Sequence, residues 1–176
     1  MSFADRLSGA KQFEVDVESY LNSRKSMSAV AVNGTEHTHP DFVDRLRRNN
    51  STESKFVRFA PDGVCLSASG TVTHWEAKAS KNIEKDAYET YMKYSDMGCS
   101  VVIFAKHPSG IVYCQYVHAV GFIPSSDVVG KYGSRGHPID ECDWICPRMG
   151  HGDAGRGSGT SYREIDFLSM NEVVDF

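Results

Sequence analysis

Pro61-Asp62 stands fourteen residues ahead of Glu76-Ala77-Lys78, and those residue types at that separation suit a phosphodiester-cleaving metal site. Two carboxylates brought to one point offer hard oxygen ligands to Mg²⁺ or Mn²⁺, and an ammonium beside them faces the reacting phosphate. The span Phe59 to Ser80, FAPDGVCLSASGTVTHWEAKAS, reads as a strand, a Ser-Gly turn and a returning strand that carries Glu76 and Lys78 back toward Asp62. Side chains alternate along a strand, so Glu76 and Lys78 share a face, while Ala77 points to the other and keeps its carbonyl available as a ligand. The chemistry is attack of a metal-activated water on phosphorus, with Lys78 orienting the water or stabilising the charge that develops.

The elements that must position this hairpin are legible in outline. Residues 3 to 24 place Phe3, Leu7, Ala10, Phe13, Val17 and Leu21 at helical spacing, which predicts an opening amphipathic helix. Ser28 to Val32 predicts a short strand, stopped at the turn dipeptide Asn33-Gly34. Thr38-His39-Pro40-Asp41 leads into FVDRLRRNN, a second, basic helix with proline in its first turn. After the hairpin, Asn82 to Tyr94 sets Ile83, Ala87, Tyr91 and Tyr94 on one helical face. Ser100 to Pro124 then reads as two strands about a His107-Pro108-Ser109-Gly110 turn. The expected fold is a single α/β domain with a mixed central sheet flanked by helices. Its core spans about residues 10 to 124, with a Gly-rich tail, 125 to 176, docked on it and a last strand at Tyr162 to Leu168.

At 176 residues and a net charge of −4, the chain suits one domain and excludes a polybasic nucleic-acid coat, so any contact with nucleic acid must be local. No apolar run is long enough for a membrane span, and the first residues lack a signal-peptide pattern, which points to no membrane association and to the cytoplasm. Five cysteines, an odd number, fit reduced thiols rather than a disulfide framework.

Pro61-Asp62 and Glu76-Ala77-Lys78 match the motif of the PD-(D/E)xK nuclease superfamily, and the chain from Phe13 to Pro124 resembles it in element order. That resemblance implies a restriction-endonuclease-like sheet and a Mg²⁺- or Mn²⁺-dependent endodeoxyribonuclease of the phage or mobile-element kind. It implies metal ligation by Asp62, Glu76 and the Ala77 carbonyl, an assisting Lys78, and a further acidic residue from the first helix, Glu14, with Glu18 one turn on as its rival. DNA is the implied partner, and a homodimer is left open. Two readings stay beside it: a catalytically silent nuclease-like protein of binding or assembly, and an RNA-cleaving member of the same superfamily.

Other constellations carry less. Arg45, Arg47, Arg48, Lys55 and Arg58 form a basic set upstream of Asp62, with Lys81 and Lys85 beyond Lys78. Arg45, Arg48 and Lys81 are candidate phosphate contacts, and so are Arg148 and Arg156 in the glycine-rich tail, beside Arg163. His37 and His39 suit a helix-capping loop better than a metal site. Cys142 and Cys146 with His151 lack an evident fourth zinc ligand. Gly150 to Gly155 spells G-x-G-x-x-G without the strand-helix context of a dinucleotide site. Tyr88, Tyr91 and Tyr94 read as core residues, with base stacking as the lesser role.

Overall fold

The computed structural model describes residues 3–33, 45, 48–49, 51–124, 136–138, 145–147 and 161–176. Helix α1, Phe3–Ser23, buries Phe13, Val17 and Leu21, one side chain per turn, and these pack with Cys65, Trp75, Ala77, Phe104 and Val112. Strand β1, Met27–Val32, pairs antiparallel with β2, Gly63–Ser67, which pairs antiparallel with β3, Val72–Lys78. Gly70 closes that hairpin with a φ of 86°, a left-handed backbone that glycine adopts without a Cβ penalty. The expected helix–strand–hairpin order is therefore present.

Between β1 and β2 lies a helix that the sequence reading missed, α2, Thr52–Arg58, capped by the Ser51 side chain accepting from Ser54 N at 3.2 Å. Its signal was the Ser51 cap followed by Glu53 in the first turn. Arg45 and Arg48 are helical and exposed, whereas Arg47, His37 and His39 lie outside the described residues.

The helix expected over Asn82 to Tyr94 begins later. Asn82–Glu84 is a short strand, β4, because it pairs antiparallel with β9, Tyr162–Glu164, and that pairing overrides the helical spacing of Ile83. Helix α3 then runs Lys85–Asp96 and buries Ala87, Thr90 and Tyr91. Strands β5, Ser100–Lys106, and β6, Val112–Tyr116, form the expected second hairpin. The last expected strand, Tyr162 to Leu168, is cut short: β9 ends at Glu164. Asp166 accepts from Leu168 N at 3.0 Å and starts a 3-10 turn over Phe167–Ser169.

Six strands form the main sheet in the order β1-β2-β3-β5-β6-β10, where β10 is Asn171–Glu172. Among the described residues only β3 and β5 run parallel, joined through β4 and α3, so the sheet is mixed and the fold is a single α/β domain with its sheet flanked by helices. A second, unexpected sheet runs β4-β9-β8-β7, with β7 at Gly136–Pro138 and β8 at Ile145–Pro147. One face of the main sheet meets α1. The other meets α3, where Ile83, Tyr91, Val101, Ile103, Ala105, Val117 and Ile165 pack together. No helix among the described residues is long and apolar enough to cross a membrane, and Cys65, Cys99 and Cys114 are free thiols.

Candidate active site

The β2–β3 ladder ends at Gly63↔Trp75. Two residues outward from Gly63, beyond Asp62, stands Pro61, which has no N–H to donate to a ladder and is fully buried. The two carboxylates continue the hairpin where backbone pairing stops. Asp62 N donates to Glu76 Oε2 at 3.1 Å, and Ala77 N donates to Asp62 Oδ2 at 2.8 Å. Each acid is thus fixed by the other's strand, and the fourteen-residue spacing of the sequence becomes a single point in space.

Three further groups hold that point. Asn33 N donates to Asp62 O at 2.6 Å, and Asn33 Nδ2 to Pro61 O at 3.4 Å, so the end of β1 clamps the turn. Trp75 lies against Gly63, where any Cβ would collide with the indole and with the Ala31 carbonyl. Beyond Trp75, β3 keeps its parallel partner, with Glu76↔Ile103, Ala77↔Phe104 and Lys78↔Ala105. Glu76 and Lys78 are therefore anchored from the β5 side while Asp62 approaches from the β2 side.

Lys78 Nζ stands 2.5 Å from Glu76 Oε1 and 5.8 Å from the centre of the Tyr91 ring. Helix α3 brings Tyr91 over this face, and its phenol hydrogen-bonds the Glu76 carboxylate. Trp75 and Ala77 face the core beneath α1, and the face that carries Glu76 and Lys78 is itself largely closed. Glu76 is 3% exposed, because α3 covers its side of the sheet.

The electrostatics follow from that burial. Desolvation, then the neighbouring Glu76 charge, pushes Asp62 up to about 8 against the pull of Lys78 and the Ala77 N–H, and Glu14 adds to the rise. Burial works to lower Lys78, but Glu76 and Asp62 outweigh it and the ammonium is held above its usual value. Tyr91 is driven well above the usual phenol range by desolvation and by Glu76, so it stays a neutral donor. Glu84 also acts on Lys78 and Tyr91. Four carboxylates, Asp62, Glu76, Glu14 and Glu84, thus bear on this one ammonium or on its carboxylate partners. Tyr91, Glu84 and Asn33 were not singled out for the site from sequence, since their roles arise from α3, β4 and β1 meeting the hairpin.

The candidate phosphate contacts divide. Arg45 and Arg48 are exposed. Lys81 Nζ is held by Glu164 Oε1 at 2.6 Å, and Lys55 Nζ by Asp86 Oδ1 at 3.0 Å. The Arg58 guanidinium lies over the Phe59 ring and that of Arg163 over Phe122. Arg148, Arg156, Cys142, His151 and the Gly150 to Gly155 run lie outside the described residues. Among the described residues, no three His, Cys, Asp or Glu side chains form a metal-binding group by themselves. The sequence matches no protein-family model, and comparison with curated proteins finds no similar sequence.

Proposed function

We propose that this chain is a Mg²⁺- or Mn²⁺-dependent nuclease that hydrolyses phosphodiester bonds of DNA, as an endonuclease on a restriction-endonuclease-like core. One observation carries the reading: Asp62 and Glu76 interlock at the end of the β2–β3 ladder with Lys78 on the same face. The order of α1, the antiparallel strands β1, β2 and β3 with α2 between the first two, then β4, α3 and β5 parallel to β3 supports the resemblance drawn from the motif.

The residues present fit a small hard cation. The donors are all oxygen, and desolvation with the neighbouring Glu76 charge pushes Asp62 toward its protonated form against the pull of Lys78, a push that a bound cation would oppose. Mg²⁺ binds through one or two carboxylates, with water and phosphate oxygens completing its shell, and needs no all-protein cage. Asp62, Glu76, the Ala77 carbonyl and Glu14 would hold it. When bound, such an ion polarises a phosphoryl oxygen and lowers the pKa of a water.

The chain's own residues do the rest. Lys78, held above its usual pKa, remains an ammonium at neutral pH and serves as a fixed positive charge rather than a base, donating toward the phosphate oxygens as charge builds on them. Tyr91 orients the Glu76 carboxylate, and Asn33 fixes the Asp62 backbone. A silent, nuclease-like binding protein is the second reading, favoured by the engagement of Glu76 with Lys78, Tyr91 and Asp62 N.

Supercoiled, linear and branched DNA, and RNA, incubated with Mg²⁺, Mn²⁺ or EDTA, separate these readings. Metal-dependent cleavage is expected, reduced about a hundredfold or more in Lys78→Ala and Asp62→Ala. Glu14→Gln is expected to lower it and Glu18→Gln to leave it unchanged; the reverse would move the helix carboxylate by one turn. Cleavage that persists in both Lys78→Ala and Asp62→Ala removes the site, and metal-dependent cleavage of no substrate leaves the binding role.

A further inference from the structure

The strand register runs from Lys78 to Ala105 on β5 and on to Tyr113 on β6. Paired residues in a sheet share a face, so Tyr113 stands on the Lys78 side, two strand spacings away, about 10 Å. There a cavity of about 560 Å³ opens, with Lys81, His107, Tyr113 and Phe167 on its wall, a size suited to a small ring system. His107 meets Phe167 edge-on at 4.9 Å, and Tyr113 lies 5.3 Å from Phe167. Leu168, at the lip, is 96% exposed, a large apolar side chain that nothing in the fold uses.

The charge of this wall selects the occupant. Lys81 is already paired with Glu164, and Asp166 and Glu172 also border the cavity. Three carboxylates against one ammonium repel a phosphate, while an aromatic heterocycle with N–H groups meets both rings and acceptors. An exposed leucine beside such a pocket can fill the gap left when one base leaves its stack.

We propose that this cavity receives an unpaired nucleobase adjacent to the cleaved phosphate, with Phe167, Tyr113 and His107 as the stacking walls and Leu168 as the wedge. The preferred substrate is then single-stranded DNA or a duplex distorted at one nucleotide. This rests on the nuclease reading, because Lys78 sets which phosphate the base neighbours. Stacking on a protein ring is worth about 1–3 kcal/mol per base, roughly a 5- to 150-fold effect on binding.

The probe is 2-aminopurine placed in a single strand, in a duplex opposite a mismatch, and in a continuous duplex. Each is titrated with full-length Lys78→Ala protein, alone and combined with Phe167→Leu or with Leu168→Ser. Quenching and tighter binding are expected for the first two DNAs, about tenfold weaker with Phe167→Leu or Leu168→Ser, and no change for the continuous duplex. Leu168 is almost wholly exposed, so its replacement leaves folding intact and keeps the test open if Phe167→Leu unfolds. Equal affinity of all variants for all three DNAs, or quenching of none, overturns the base pocket. Base-dependent quenching in a protein that cleaves nothing under Mg²⁺ removes the nuclease reading and keeps the pocket. Cleavage indifferent to Leu168→Ser and to strand pairing removes the pocket and keeps the nuclease.

Discussion

Asp62 links folding to protons. Its ordinary carboxyl value is 3.8 and its folded value is about 8, so between those limits the native protein binds a proton that the unfolded chain releases. Stability from this group is whole below about pH 4 and is lost as pH rises through 8, the reverse of a salt-bridged carboxylate. In EDTA, the stability of Asp62→Asn relative to the natural protein is expected to rise steadily from pH 5 to pH 8 in urea titrations. Parallel curves would show that Asp62 is not pushed up. Asparagine keeps an acceptor for Ala77 N, so the comparison isolates the charge. At this scale the motif was readable because residue type alone announces carboxylate and ammonium. Tyr91 and Glu84 were not readable as site residues, because a tyrosine at helical spacing spells core and only its place over Glu76 makes it a donor.

The β2–β3 hairpin depends on a close approach that no polar side chain advertises. Gly63 admits the Trp75 indole against the backbone, and a methyl there meets both Trp75 and the Ala31 carbonyl. Gly63→Ala is expected to destabilise the protein by about 1–3 kcal/mol, as overpacked sites do, and to weaken cleavage more than stability requires, since Asp62 directly precedes it. An unchanged denaturation midpoint would contradict this packing. In the same buried cluster as this tryptophan, α1 contributes Phe13, also reached by the Phe176 ring at 5.7 Å. Helix and hairpin were legible from periodicity and turn chemistry. The strand Asn82–Glu84 was not, because three residues carry no period of their own and their form is set by β9, some eighty positions away.

The candidate centre as a whole gathers more negative than positive charge, and a divalent cation relieves it. Mg²⁺ or Mn²⁺ is expected to raise the melting temperature at pH 8. The corresponding gain is about 2.7 kcal/mol once the free ion reaches a hundred times its dissociation constant. The shift is expected to be smaller at pH 5, where protonated Asp62 competes, and to vanish in Glu76→Gln. An equal shift in that variant would place the ion elsewhere. With a net charge of −4, strand binding must rely on local cations, and the exposed Arg45 and Arg48 remain available where Lys55 and Lys81 are paired.

The sequence by itself determined the chemistry on offer, since carboxylates, an ammonium and a donor-free proline are properties of residue types, and the spacing of a hairpin is local. Only the tertiary structure decided the rest. That Glu76 is buried rather than solvent-facing, that Lys81 is paired and that Tyr113 shares a face with Lys78 follow from non-local strand pairing and from α3 closing over the sheet. Such contacts join residues far apart in the chain, where no local pattern records which partner a side chain will meet.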